Sequence, residues 1–327
     1  MKKKAISKVP VLLMFFVRPE KLMYSFEAVR LARPEKLFLV SDGPRITHPH
    51  DKSLNDQCKV IVDDIDWECE VHHFYSEENK GMHYIAMTAF KKTFEIVDRL
   101  IFLEDDVVPS QSFFPYCEEL LEKYKDDLRI QKICGMNHQG VYESPSADYF
   151  FSKAGSIWGF ALWKRTFEAF EEDLAFIQDT YHFNLFLKSL PKTISSSVER
   201  NSIQLRKQWE ADKNTVVPYE LANAASFYLN NSLLIVPKRN MINCMGISAN
   251  AGHNVDHPLK LPRVIRSLFY MKTYELTFPL KHPRYIINDV NYEKIVLNKM
   301  GKNKFILFTR RFEGILRRIF YGYLLKK

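Results

Sequence analysis

Apolar positions along this chain fall into short unbroken runs separated by stretches with a three- and four-residue period. The runs at 9–17, 37–40 and 100–103 lack polar alternation, as strands buried on both faces do, and another apolar run is read at 130–136. A further, shorter strand is predicted at 69–75. Between them the spacing changes to that of helices. Leu22, Phe26, Val29 and Ala32 share one helical face behind Pro19, which sits where a first helical residue belongs. Leu54, Cys58, Ile61 and Ile65 mark a second helix, and Tyr84, Met87, Phe90, Phe94 and Val97 a third, read as core. A fourth runs from about Ser112 to Tyr124. Strand–helix alternation of this kind predicts an α/β fold with a mostly parallel central sheet flanked by helices on both faces.

Beyond Asn137 the pattern loosens. The aromatic runs at 149–151 and 157–163 have no clean period, and Gly155 and Gly159 suggest close backbone approach. The polar stretch 189–215, with Pro191 and three consecutive serines, is expected to be a long loop or lid. A helix over 219–230 and a strand over 232–237 come next. The stretch 305–325 predicts an amphipathic helix, with Phe308, Phe312, Ile315, Leu316, Ile319 and Tyr323 on one side and Arg310, Arg311, Arg317 and Arg318 outside it. An apolar aromatic face opposite arginines is the pattern of a helix lying in an anionic membrane surface.

Composition changes this picture in two places. At 327 residues, with 46% hydrophobic and 26% charged positions, the chain has the make-up of a soluble globular protein. The net charge of +8 is uneven: residues 259–327 carry 16 Lys and Arg against 4 Asp and Glu, leaving 31 against 35 for residues 1–258. The basicity therefore belongs to the tail, and nothing points to nucleic acid. Five scattered cysteines without a Cys-x-x-Cys pair argue for reduced thiols, and against a disulfide framework or zinc site. The basic and apolar start imitates a signal peptide, but breaks at Arg18-Pro-Glu-Lys without a cleavage site, so it reads as the first strand. No run is long enough for a transmembrane helix.

Candidate chemistry gathers at predicted strand ends. Arg18, the turn Ser41-Asp42-Gly-Pro-Arg45 and the acid triplet Glu104-Asp105-Asp106 would share the carboxyl edge of a parallel sheet, where such folds bind ligands. Extended backbone would aim Glu104 and Asp106 one way and Asp105 the other. Carboxylates in that position repel unless a cation holds them, and their hard oxygens suit Mg²⁺ or Mn²⁺ together with phosphate oxygens. Gly-x-Gly-x-x-Gly after the first strand, a P-loop and a Gly-x-Ser-x-Gly elbow are all absent from the sequence, which removes the main support for dinucleotide, P-loop and esterase readings. His48, His50, His72 and His73 lack metal-ligand spacing.

Five segments occur in a telling order: Pro10-Val-Leu-Leu-Met-Phe-Phe-Val-Arg-Pro19, Val40-Ser-Asp-Gly-Pro-Arg45, Glu78-Asn-Lys-Gly81, Leu103-Glu-Asp-Asp106 with Pro109-Ser, and Ile157-Trp-Gly-Phe-Ala-Leu-Trp163. Together they resemble a family of bacterial GT-A-fold glycosyltransferases of the hemolytic-protein-like kind. That family is itself similar to the GlcNAc-transferase that begins complex N-glycan synthesis. The resemblance covers roughly residues 9–258. It implies a GT-A domain over 1–258, with 259–327 as a basic C-terminal extension. It also implies that Arg18, Asp42, Asn79, Lys80, Glu104, Asp105, Trp158 and Gly159 bind the nucleotide-sugar donor. Asp106 and His253 (in an Ala-Gly-His where the family has Ala-Thr-His) would ligate Mn²⁺ or Mg²⁺. The family opens a later helix with Trp-Asp, whose aspartate is the general base; here Tyr219-Glu220 stands in that register, making Glu220 the base candidate. The implied activity is transfer from a nucleotide-diphosphate sugar, a UDP-sugar, to a glycan or glycolipid hydroxyl. Inversion, a role in surface polysaccharide or lipopolysaccharide synthesis, and a cytoplasmic location on the inner face of the membrane go with it. A metal-dependent nucleotidyltransferase and a non-catalytic, membrane-docked relative remain as alternatives, the second because Glu220 departs from the family's aspartate.

Overall fold

The computed structural model describes residues 2–171, 174–212, 217, 219–247, 261–300, 308–309, 312–316 and 319–320. The apolar runs form β1 (Val11–Phe15), β2 (Lys36–Ser41), β3 (Glu70–Tyr75) and β4 (Arg99–Glu104), and the periodic stretches between them form α1 (Pro19–Ala32), α2 (Asp51–Val62) and α3 (Met82–Phe94). A short β5 (Val107–Pro109) leads into α4 (Phe113–Lys123) and β6 (Ile130–Cys134). Side chains alternate across the strands. Leu13, Leu39, Ile101 and Leu103 pack with Leu22, Phe26 and Val29 of α1, Cys58 of α2 and Leu120 of α4. Leu12, Met14, Phe38 and Phe102 pack on the opposite face with Ala86, Ala89 and Phe90 of α3. Tyr84 of α3, expected in the core, is exposed because the buried face of the helix runs through Ile85, Ala86, Ala89 and Phe90 instead.

The aperiodic aromatic runs are strands as well, β7 (Tyr149–Ser152) and β8 (Phe160–Trp163), followed by α5 (Lys164–Glu168). With β9 (Leu233–Pro237) they complete an eight-stranded sheet of order β3-β2-β1-β4-β8-β6-β9-β7. The sheet is mixed, not mostly parallel. β3, β2, β1 and β4 run parallel, but β8 is antiparallel to both β4 and β6, and β7 is antiparallel to β9. A parallel partner needs a crossover of a dozen or more residues, commonly a helix. No helix lies between β6 and β7, and β7 runs back opposite to β6, pairing antiparallel with β9. β5 pairs with β10 (Ile242–Cys244) in a separate two-stranded ribbon.

The expected lid at 189–215 is helical over 192–211 instead, and residues 213–215 lie outside the described residues. α6 (Thr180–Ser189) and α7 (Lys192–Ala211) pack with α8 (Tyr219–Leu229) around Leu174, Ile177, Phe183, Phe186 and Leu205. Ile194, Val198, Leu205 and Trp209 make the apolar stripe of α7; its three consecutive serines, 195–197, are exposed or half-buried and only mildly unfavourable in a helix. Beyond α9 (Arg263–Arg266) the chain packs back on the sheet. Leu268 and Leu280 join its core, and Tyr292 and Val296 of α10 (Val290–Met300) pack against Phe150 and Val236. Of the predicted C-terminal helix, residues 308–309, 312–316 and 319–320 are helical, and Phe308, Phe312, Ile315, Leu316, Ile319 and Phe320 are 45% to 69% exposed. The four arginines and Tyr323 of that helix lie outside the described residues. Among the described residues, no helix is long and apolar enough to cross a membrane.

Candidate active site

β1, β2 and β4 are adjacent and parallel, so the segments after them emerge at one edge of the sheet. Arg18 follows the central strand of the three. Its guanidinium spans two carboxylates: Nε donates to Asp105 Oδ2 at 3.3 Å, Nη2 to Asp105 Oδ1, and Nη1 pairs with Asp106 Oδ2 at 2.8 Å. Asp105 also accepts from the Phe16 amide, and its carbonyl accepts from Ser25 Oγ at 2.8 Å. Asp105 does not point away from Asp106 as extended backbone would require. The chain turns at 105–106 before entering β5, and the alternation ends there. Burial disfavours the Arg18 charge, but Asp105 and Asp106 outweigh it and hold the guanidinium above its ordinary range.

One guanidinium does not balance this end of the sheet. Burial, then the charges of Asp106 and Asp105, push Glu104 from 4.5 up to about 8; Arg18 opposes the shift and Glu220 adds to it. Burial also raises Asp105 to about 6, against the pull of Arg18. Asp106 is buried under the β5–β10 ribbon and the residues just past β10: its carbonyl accepts from the Met245 amide at 2.7 Å, and a Cβ at Gly246 would stand 2.5 Å from Asp106 Oδ2. Only glycine fits there without moving the carboxylate.

A second cluster surrounds Asp42 at the end of β2. Each oxygen of its buried carboxylate accepts two hydrogen bonds, Oδ1 from the Gly43 and Lys80 amides (both 2.9 Å) and Oδ2 from the Gly81 amide (2.8 Å) and Asn79 Nδ2 (3.0 Å). Asn79 Nδ2 also donates to the Gly43 carbonyl. Gly43 lies so close to the 77–78 backbone that a Cβ would come within 2.5 Å of it, and Gly81 turns the chain into α3 with φ +87°. The Lys80 ammonium pairs with Glu78 at the surface. Asn55 of α2 joins the two clusters' strands, donating to the Phe16 carbonyl at 2.9 Å and to Ser41 Oγ at 2.8 Å.

Of the other predicted residues, Trp158 stacks at a tilt on Phe269 with ring centroids 5.0 Å apart, and Gly159 (φ +61°) lies against Ile242 and Val107 of the ribbon that covers Asp106. Glu220 opens α8, and its Oε2 lies 3.3 Å from His83 Nδ1 in the first turn of α3. His253 and the Tyr219 side chain lie outside the described residues. The structure thus brings Arg18, Glu104, Asp105 and Asp106 together, sets Asp42, Asn79 and Lys80 beside them around one loop, and pairs Glu220 with a histidine. Sequence reasoning missed Asn55, His83 and Gly246. Their contacts are long-range; the only local hints were a histidine just past the Gly81 helix start and a glycine just past a strand.

Among the described residues, no three His, Cys, Asp or Glu side chains converge as a ready-made metal cage. The donor set nonetheless fits a hard divalent cation that takes its remaining ligands from a diphosphate. Asp105 and Asp106 share one arginine, and burial together with the charges of both aspartates raises Glu104 beside them.

No family model matches the chain, and no curated protein sequence does. Partial structural likeness is found to the mannosyltransferase PcManGT from Pyrobaculum calidifontis in complex with GDP-Man and Mn²⁺, at 11% identity over 68% of this chain and 70% of that one, with a TM-score of 0.35. A UDP-glucose pyrophosphorylase complexed with UDP-glucose is 12% identical over 52% of this chain and 79% of that one (TM-score 0.30), and HddC from Yersinia pseudotuberculosis 11% identical over 50% and 81% (TM-score 0.29). At these TM-scores the likeness decides nothing about function, which has to come from the residues.

Proposed function

We propose that this chain is a metal-assisted glycosyltransferase with a GT-A domain over 1–258, moving a sugar from a nucleotide diphosphate, a UDP-sugar, to a glycan or glycolipid hydroxyl. The observation that carries the reading is Arg18 forked across Asp105 and Asp106 at the carboxyl edge of three parallel strands, beside a Glu104 that burial and both aspartates push up to about 8. Asp106 would hold Mn²⁺ or Mg²⁺, with His253 as a second ligand. When bound, the ion supplies Lewis-acid and electrostatic stabilisation of the departing diphosphate. Arg18 offers that diphosphate a planar fork of charged donors, and Asp105 offers a carboxylate to the ribose hydroxyls. Asp42 keeps the 78–81 loop, with Asn79 and Lys80, against the donor edge. Trp158 and Gly159 wall the pocket beside the ribbon. Glu220 takes the acceptor proton, and attack from the face opposite the leaving group gives inversion.

Calorimetric titration of the chain with UDP, with and without Mn²⁺, tests this directly. Metal-dependent binding is expected, lost in Asp106→Ala; absence of any metal-dependent binding would sink the reading. Turnover of nucleoside triphosphate and sugar phosphate without transfer from a nucleotide sugar would favour a nucleotidyltransferase instead. We also propose that residues 259–327, with their surplus of twelve positive charges and exposed Phe308, Phe312 and Ile315, hold the enzyme on an anionic membrane surface where a lipid-linked acceptor would be found.

A further inference from the structure

The first turns of α3 and α8 meet with His83 Nδ1 3.3 Å from Glu220 Oε2. Both facing atoms are sealed from solvent, although 37% of the His83 side chain and 30% of the Glu220 side chain remain exposed. Neither residue hangs on a loose support. His83 lies two positions beyond Gly81, whose amide, like that of Lys80, is held by the Asp42 carboxylate. Behind it α3 is anchored by Ile85, Ala86 and Ala89 in the core. α8 is anchored by Ala222 and Ala225. Among the described residues, Glu220 Oε2 makes no hydrogen bond in this structure; a solvent-excluded carboxylate oxygen needs a donor, and the His83 Nδ1–H, 3.3 Å away, becomes one with a small rotation of the ring.

We propose that His83 is a positioning residue for Glu220. This rests on the transferase reading and deepens it. A glutamate where the resembled family has an aspartate carries one more rotatable bond, and the histidine removes that freedom by fixing Oε2. The other oxygen, Oε1, is left to receive the acceptor's proton. The acceptor oxygen forms its bond to the anomeric carbon, the bond from that carbon to the phosphate oxygen breaks, and its electron pair leaves with the nucleoside diphosphate. Oε1 holds the proton at the end of the step, while the imidazole keeps its own.

The test compares full-length wild type with His83→Ala, His83→Asn and Glu220→Gln. Readouts are transfer and donor hydrolysis over a panel of UDP-sugars, UDP binding with Mn²⁺ by calorimetry, and the urea midpoint. His83→Ala is expected to lower kcat about 10- to 100-fold with donor KM and UDP affinity changed less than about threefold, the range for a residue that orients a reacting group through a hydrogen bond. His83→Asn, whose amide N–H can replace Nδ1–H, should recover most of that loss. Unchanged kcat in His83→Ala, a loss confined to donor KM, or an asparagine variant as slow as alanine would each overturn the proposal. Full activity in Glu220→Gln would instead remove Glu220 as base, and a wild type without metal-dependent UDP binding would remove the transferase reading. The pair itself is read independently of turnover by ¹⁵N NMR of the histidine rings. His83 should be Nδ1-protonated in the wild type and change state in Glu220→Gln; an Nδ1 that carries no proton would refute the contact.

Discussion

Replacing Asp42 should destabilise the carboxyl edge of the parallel strands. Its carboxylate is 7% exposed and accepts four hydrogen bonds, three of them from the Gly43, Lys80 and Gly81 amides. Hydrogen bonds to a charged group contribute about 1.5–3 kcal/mol each, and they do not add when they share one acceptor. In Asp42→Ala the three amides lose their partner. Water can reach some of them from the exposed side of the 77–80 loop, so the net cost should be about 3–5 kcal/mol, a large part of the roughly 5–15 kcal/mol available to a folded domain. Asp42→Asn keeps one oxygen with two acceptor positions and turns an NH₂ toward the remaining donors, so it should cost roughly half as much. Urea unfolding followed by tryptophan fluorescence gives the free energies, and limited trypsin digestion at Lys80 reports local opening of the loop. Asp42→Ala within about 0.5 kcal/mol of wild type, the range of ordinary surface substitutions, would refute the clamp. Should that stable variant also fail to bind UDP, Asp42 would be a direct nucleotide contact.

Three shorter predictions accompany it. Because Glu104 is raised from 4.5 to about 8 in the folded protein, its contribution to stability is full below about 4.5 and drains away as pH rises through about 8; Glu104→Gln should flatten the fall in metal-free unfolding free energy between pH 5 and 9, and an unchanged slope would show that the carboxyl is not strained. Gly246→Ala forces a Cβ to within 2.5 Å of Asp106 Oδ2 and should weaken Mn²⁺-dependent UDP binding about tenfold or more; calorimetry equal to wild type would separate Asp106 from the metal. Binding to liposomes rich in anionic lipid should fall with rising salt and disappear in a chain ending at Lys304, and undiminished binding by the shortened chain would remove the tail from the membrane proposal.

The buried parallel strands were legible because each is a run of side chains that must all leave water, and the helices packed on them because their apolar stripes recur at helical spacing. The expected strand at 9–17 narrowed to Val11–Phe15 and that at 37–40 grew to Lys36–Ser41, the usual uncertainty of ends. What failed was β7 and β8, which join the sheet antiparallel to their neighbours. Phe160, Ala161, Leu162 and Trp163 are all buried, as in the parallel strands, but the antiparallel insertion of β8 between β4 and β6 depends on partners distant in sequence. The α7 stripe of Ile194, Val198, Leu205 and Trp209 was present in the chain, but the serine run and Pro191 hid it. Pro191 in fact stands just before the helix, where its lack of an N–H costs nothing.

The site divides along the same line. The acid triplet could be found because a strand end and its acids are contiguous, whereas the use made of each acid could not. Extended backbone would have separated Asp105 from Asp106; the turn at those two residues instead lets a single arginine grip both. That grip explains how such a cluster survives in a folded protein: Arg18 is the resident cation of the strand edge. It leaves Glu104 as the group that absorbs the remaining repulsion, by holding on to its proton. A divalent ion and a diphosphate would act on the same charges from both sides, since the ion and Arg18 contend for Asp106 Oδ2 while the diphosphate offers Arg18 an alternative partner. Metal and donor would then favour one another's binding through Arg18, which the ion would displace from Asp106 and the diphosphate would take up, a coupling written in the Arg18 fork and in no one acid of the triplet.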